Sequence, residues 1–454
     1  MTRLFGCRVC TLALAMSVAS PAHAAEPLSP GSTATGVELA PSAPGVITLD
    51  AAVARALDVG VDAESARLAV ALARATRDLR TRAWQPDLSL NLSVEGNLGR
   101  TFSESLGTNV TDPAAQAGAR VTSTLPIWSA GERLAQTRAA QADLDAATAT
   151  LDQTRQDLVY ALATGLLDAE QARAAVALAE ARLRAEEALA ARVDALIAAG
   201  ARTRADGLSQ AAAVAEARGV LVEARTLART TDLAITELLR LESGLTWSFA
   251  VPATPPLELA GPSDAVRAAL SARPALAAYV RSVDAVEAQV SAARAGGLPS
   301  VGLTVGAGTS WSTSRPAAFD AQLADQAAAW ATVDLNVPIL DRGVTRAAVE
   351  RARLSVRQAV LASESARESV EVATRGAWAE REAAIEAAAA ATLRRDAGAA
   401  AEAIVRERYE AGAVTFSELL VARAALADAD ERAITARADV DRASWTLVWV
   451  VGGL

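Results

Sequence analysis

The chain has 454 residues, with 44 basic and 53 acidic side chains, a formal net charge of −9, one histidine and two cysteines. Every basic residue is an arginine, and His23, Cys7 and Cys10 all lie within the first two dozen positions. Once that segment is removed, most ways of building zinc sites, thiol nucleophiles and imidazole bases go with it, and so acidic a chain is a poor general nucleic-acid binder.

Residues 1–24 have the make-up of a secretory signal peptide: Arg3 and Arg8, an apolar run over 11–18, and Ala22-His23-Ala24 as the cleavage site. Cleavage leaves 42 arginines against 53 acids, a net charge of −11, in a chain starting near Ala25. Both cysteines precede or open the apolar run, so neither disulfides nor an N-terminal lipid anchor is expected. Beyond the signal core, which is too short, no stretch approaches the ~18 consecutive apolar residues of a transmembrane helix. A membrane role therefore has to come from strands.

Residues 25–47 are rich in Pro, Ser and Gly and read as an extended leader. A short helix is predicted over 51–57, capped by Thr48 or Asp50, and a second over 62–83 after Gly60. Leu88, Leu90, Leu92 and Val94 then alternate with polar residues, the period of a strand with one apolar face. A loop over 99–116 leads to a second strand through Ala119, Val121 and Leu125, which Pro126 is expected to close because proline cannot donate to a ladder. From Ser129 to Ala199 there are 71 positions without proline, about 105 Å as one helix. That is too long for a globular core. A further helix is predicted from Arg204 after the stop at Gly200.

The same order then recurs. Pro126, Gly131 and Gly200 have counterparts at Pro338, Gly343 and Gly412, each 212 positions on. The chain is a tandem duplication, with a first repeat over 48–243, a proline-rich linker over 244–262 and a second repeat over 263–454. Each repeat carries one β-hairpin, 86–126 and 299–338, and one long helical hairpin, with its turn near 200 or 412. Leu144, Leu151 and Leu158 are spaced by sevens amid alanine, which suits close coiled-coil packing. Trp311 and Trp330 stand where strands meet the 312–328 loop, as membrane-interface aromatics would, although strand parity puts Trp330 on the polar side. The strands are about long enough to cross a bilayer at a tilt. Four cannot close a barrel; two chains would give eight, and three would give twelve with room for a channel.

Several marks fall in order along this pattern: Leu49-Asp-Ala-Ala-Val-Ala-Arg-Ala-Leu57, Leu298-Pro299, Pro126-Ile-Trp-Ser-Ala-Gly131, Pro338-Ile-Leu-Asp-Arg-Gly343, Arg408-Tyr-Glu-Ala-Gly412 and Val451-Gly-Gly-Leu454. On these the chain resembles the TolC-like outer-membrane efflux proteins of Gram-negative bacteria over nearly all of its mature length. The resemblance implies an α+β membrane protein, a homotrimer whose twelve-stranded barrel continues as a long α-helical coiled-coil barrel across the periplasm. It implies no cofactor and no reaction. It also implies a periplasmic membrane-fusion adaptor docked at the tip turns Gly200, Ala201, Gly412 and Ala413, and an inner-membrane pump or exporter behind it.

In that family the tips form the closed entrance, held by links among tyrosine, acidic and arginine side chains. By position Tyr409 matches the gate tyrosine, and Asp206 and Glu418 match the acids six residues after each tip glycine. The family's arginine and second acid are Val414 and Val421 here, so Arg202 and Arg204 of the other tip are the candidates for the missing cation. Asp206 and Glu418 also fit plain helix N-terminal acids favoured by the macrodipole, and Tyr409 fits a hairpin-packing residue. A periplasmic coiled-coil scaffold without a pore is the competing reading.

Overall fold

A computed structural model describes residues 46–97, 99–103, 107–110, 114–241, 247–250, 252–254, 256, 259–313, 315 and 317–454. The predicted signal peptide and all but the last two residues of the leader lie outside these. Strand β1 (Val46–Ile47) leads into helices α1 (Leu49–Val59) and α2 (Val61–Arg82). Thr48 caps α1 by accepting the Ala51 N–H, as its position before the apolar run suggested.

Strand β2 (Ser89–Asn97) follows, then the short hairpin β3 (Thr101–Ser103) and β4 (Thr108–Val110) within the loop, and β5 (Ala114–Trp128). Helix α3 (Glu132–Ala198) runs 67 residues, about 100 Å, and α4 (Arg204–Leu238) returns from its tip. After β6 (Ser248–Phe249), the second half brings α5 (Pro262–Ala272), α6 (Pro274–Ala295), β7 (Ser300–Ser312), the small loop helix α7 (Phe319–Asp325), β8 (Ala328–Asn336), α8 (Val344–Glu410) and α9 (Phe416–Val451). The matched helices have lengths of 11 and 11, 22 and 22, 67 and 67, and 35 and 36 residues.

Pro126 does not end its strand. β5 continues to Trp128, and the missing donor is absorbed by a register shift between Pro126 and Trp128 against β7. The chain then turns into α3 through two left-handed residues, Ala130 (φ 50°) and Gly131 (φ 85°), and the second copy repeats this with Arg342 (φ 56°) and Gly343 (φ 81°). The recurring glycine thus marks a turn that a β-carbon disfavours. At the second turn the Asp341 carboxylate accepts the N–H groups of Gly343 (2.9 Å) and Thr345 (2.8 Å), and its bonds to Thr345 and Gly343 hold it below the usual carboxylate range.

Four strands form one antiparallel sheet in the order β2-β5-β7-β8. Both outer strands leave an edge open, and Leu88, Leu90, Leu92 and Val94 beside Val333 and Leu335 stand exposed on one face. Above the middle of the long helices, α2 packs against α3 and α6 against both α3 and α8; below it, α4 packs against α3 and α9 against α8, and α3 touches α9. The largest core lies at the middle, where Leu158, Leu162 and Leu166 of α3 meet Ala52 and Ala56 of α1, Ile235 and Leu239 near the end of α4, and Phe249 of β6. β1 and β6 pair in parallel there, joining the start of the first half to the linker. Large apolar side chains outside this core remain exposed along the helices, including Leu68, Leu72, Leu227, Leu354 and Leu393. Among the described residues no helix is long and apolar enough to cross a membrane.

Candidate functional site

The two helical turns are built alike. After α3, the Gly200 N–H donates to Ile197 O (2.9 Å) and the Ala201 N–H to Leu196 O (2.8 Å); after α8, Gly412 donates to Tyr409 O (3.0 Å) and Ala413 to Arg408 O (2.8 Å). Both glycines have φ +74°. This is the hydrogen-bond pattern that ends a helix on a left-handed residue, which explains why glycine recurs at the tips. Three residues on, each new helix opens with a reciprocal cap. Thr203 Oγ1 accepts the Asp206 N–H (3.3 Å) while Asp206 accepts the Thr203 N–H (3.1 Å), and Thr415 and Glu418 do the same at 3.3 and 3.0 Å. Both candidate acids therefore hold their own helix starts. Replacing Glu418 by alanine is expected to cost about 1 kcal/mol and fray the first turn of α9, read as faster amide exchange at residues 416–419.

The tips meet around Tyr409, which is only 4% exposed. Its ring packs with Leu189 and Val193 of α3 and with Phe416 and Leu419 of α9, at 5.7 Å between the Tyr409 and Phe416 centroids. Val414, standing where the resemblance would place an arginine, packs against the same cluster. Arg202 reaches across from the first tip. Its guanidinium carbon lies 4.0 Å from the Tyr409 ring centroid, and its Nη2 donates to Tyr409 O at 3.1 Å. Arg192 on α3 adds an ion pair to Glu410 at 2.8 Å. Among the described residues the buried Tyr409 hydroxyl has no hydrogen-bond partner, so the ring and the carbonyl, not the phenol, carry the contact between tips. Arg204 is exposed and makes no ion pair among the described residues.

A second cluster, which the sequence reading missed, lies one heptad above. Glu186 stands seven residues before Val193, Glu402 seven before Tyr409, and Arg423 seven after Phe416. They belong to the same buried seams. Arg423 lies 3.4 Å from Glu186 and 3.4 Å from Glu402, and Arg406 lies 3.4 Å from Glu402. Gln210 of α4 donates to the Glu186 carboxylate at 2.8 Å and to its backbone carbonyl at 2.9 Å. All four tip helices meet in this cluster, and both carboxylates are buried. The heptad phase is the signal that could have found it.

At the sheet, Trp311 lies on the apolar face and pairs with Phe319 of α7 at 5.8 Å between centroids. Trp330 lies on the opposite, polar face: it stands across from Gly306, over which its indole lies, and faces Arg120 at 5.4 Å. Its expected place in an interface girdle with Trp311 is therefore not where the indole sits. Parity carried this signal in the sequence. Gln322, almost fully buried, ties the loop below α7 by donating to Arg315 O (3.2 Å) and Ala317 O (2.7 Å) and accepting the Ser312 N–H (2.9 Å). Among the described residues no group of His, Cys, Asp or Glu is placed to hold a metal ion.

The sequence model of the family described as outer membrane efflux protein matches residues 52–239 and 265–453, one stretch in each half. The chain belongs to this family. No curated sequence matches it significantly. Among solved structures, CusC, whose structures concern transmembrane channel formation, superposes with a TM-score of 0.80 at 19% identity, over 89% of this chain and 92% of that one. The outer-membrane channel OprN gives 0.79 at 20% identity, over 89% and 90%. The Campylobacter jejuni CmeC outer membrane channel gives 0.78 at 16%, over 89% and 85%. At such identities these likenesses establish the fold, and the family match carries the assignment to outer-membrane efflux proteins.

Proposed function

We propose that this outer membrane efflux protein is a passive exit duct. Three chains close their four-stranded sheets edge to edge into a twelve-stranded barrel in outer-membrane lipid, and their long helices continue it through the periplasm. The observation that carries this reading is the sheet: two open edges, one exposed apolar face and one polar face in a single chain. An open edge with an apolar face is an aggregation hazard unless it is paired, and barrel closure removes it. The exposed leucines of α2, α4 and α8 then become contacts between subunits.

The tips at Gly200, Ala201, Gly412 and Ala413 meet a periplasmic membrane-fusion adaptor, itself bound to an inner-membrane pump or exporter that supplies the energy. Tyr409 and Arg202 hold the entrance, Asp206 and Glu418 shape the helix starts beside it, and Arg204 is free to face a neighbouring chain or adaptor. The test is the mass of the detergent-purified particle together with planar-bilayer conductance. A trimer that forms discrete channels supports the duct. A monomer that fractionates with periplasm, needs no detergent and forms no channels turns the reading to a coiled-coil scaffold.

A further inference from the structure

Arg120 is the only basic residue in the four strands of the main sheet. It lies on the polar face, opposite Asn91 on one side and Gly308 on the other. Trp330 on β8 shares that face, standing opposite Gly306. Two glycines make room for the pair. A β-carbon at Gly306 would fall 2.3 Å from Cζ2 and 2.6 Å from Cε2 of the indole, and one at Gly308 would fall 3.3 Å from the Arg120 Cα. The indole thus lies over bare backbone, within cation–π range of the guanidinium. The side chains around them form an open recess of about 380 Å³, with Glu95 and Gln116 toward the loop end.

We propose that Arg120, positioned against Trp330 by these glycines, is the residue that sets the ion preference of the barrel lumen and receives aromatic anions there. This rests on the trimeric duct reading, in which the polar face lines the lumen. Three chains would then place three guanidinium groups at one level. Along the strands the nearest acids on that face are Asp87, opposite Thr124, and Glu95, each four positions away or about 13 Å, and Asp334, six positions away or about 20 Å. All three backbone offsets exceed the Debye length of about 8 Å at physiological salt, so none of these acids pairs directly with the ring. A ring of like charge in a narrow, low-dielectric passage concentrates counter-ions, and arginine rings suit anions. The indole adds a flat apolar surface beside each cation, so a planar aromatic sulfonate or carboxylate can pair with the guanidinium and pack on the ring together.

The experiment is planar-bilayer recording on the trimer across a KCl gradient, with naphthalene sulfonate added to the extracellular side. Arg120→Gln is expected to lower the chloride-to-potassium permeability ratio by about twofold or more and to abolish block by the sulfonate. Arg120→Lys keeps the ion preference but weakens block, and Trp330→Leu does likewise, because only the stacking surface is lost. Channels whose reversal potential and block are unchanged by Arg120→Gln overturn the inference and leave the duct standing. A trimer that forms no channels even with Arg202→Ala, which unlocks the tips, refutes the duct and this inference with it.

Discussion

Arg423→Ala is expected to loosen all four tip helices, at a cost of about 3 kcal/mol, because it leaves the buried Glu186 without a cation and Glu402 with only the exposed Arg406. The Arg423 side chain is 18% exposed and those of Glu186 and Glu402 only 9% and 8%, so solvent gives little screening. At 3.4 Å the contacts with Arg423 are ion pairs of moderate quality, and Arg423 Nε lacks an aligned hydrogen bond. The cluster therefore contributes little net stability as a whole, while its disruption is expensive. Amide exchange in residues 416–430 and 204–214 should accelerate by a hundredfold or more, about 3 kcal/mol of local opening. The triple variant Arg423→Ala, Glu186→Gln, Glu402→Gln should recover most of the loss, since it removes the stranded charges. Exchange in Arg423→Ala within a few-fold of the parent, or no recovery in the triple variant, would show that water reaches the carboxylates.

Arg202→Ala is expected to open the entrance. It removes a guanidinium stacked at 4.0 Å on Tyr409 and a hydrogen bond of 3.1 Å to the Tyr409 carbonyl, the side-chain link from the first tip turn to the second. Together these are worth about 2 kcal/mol at a half-buried site, roughly a thirtyfold shift toward separated tips. Single-channel conductance and open probability in planar bilayers should rise accordingly, and Tyr409→Ala should act in the same direction. Tyr409→Phe separates two mechanisms. A lock built on the phenol would open with it, whereas here the hydroxyl has no partner and the ring is retained, so conductance should stay at the parental level. An open Tyr409→Phe channel beside a closed Arg202→Ala channel would reverse the assignment.

These two clusters also mark the limit of what could be read along the chain. Gly200 and Gly412 were legible as helix stops because the left-handed turn is a local demand that glycine meets. Thr203 with Asp206 and Thr415 with Glu418 span three residues each, so their reciprocal caps are local as well. Arg202 meets Tyr409 across 207 positions, and Arg423 meets Glu186 across 237. No short spacing carries those pairs. Only the heptad phase of Glu186, Glu402 and Arg423 hinted that charged residues sat on buried seams.

The sequence by itself determined the recurring order of the main helices and strands in the two halves, the approximate lengths of the long helices and the apolar and polar faces of the strands. Each of these follows from periodicity or from a backbone demand within a few residues, where proline, glycine and threonine act on their own neighbours. The tertiary structure decided that β5 passes Pro126, because its partner β7 accepts a register shift there. It decided that Trp330 lies over Gly306 beside Arg120, because β7, 24 residues earlier, leaves bare backbone beneath the indole while β5 brings Arg120 to it from 210 positions away. It also decided that Arg202 clasps Tyr409, because two helices of 67 residues bring both turns to the same end. Such contacts depend on the relative placement of distant segments, and that is fixed by packing rather than by local sequence.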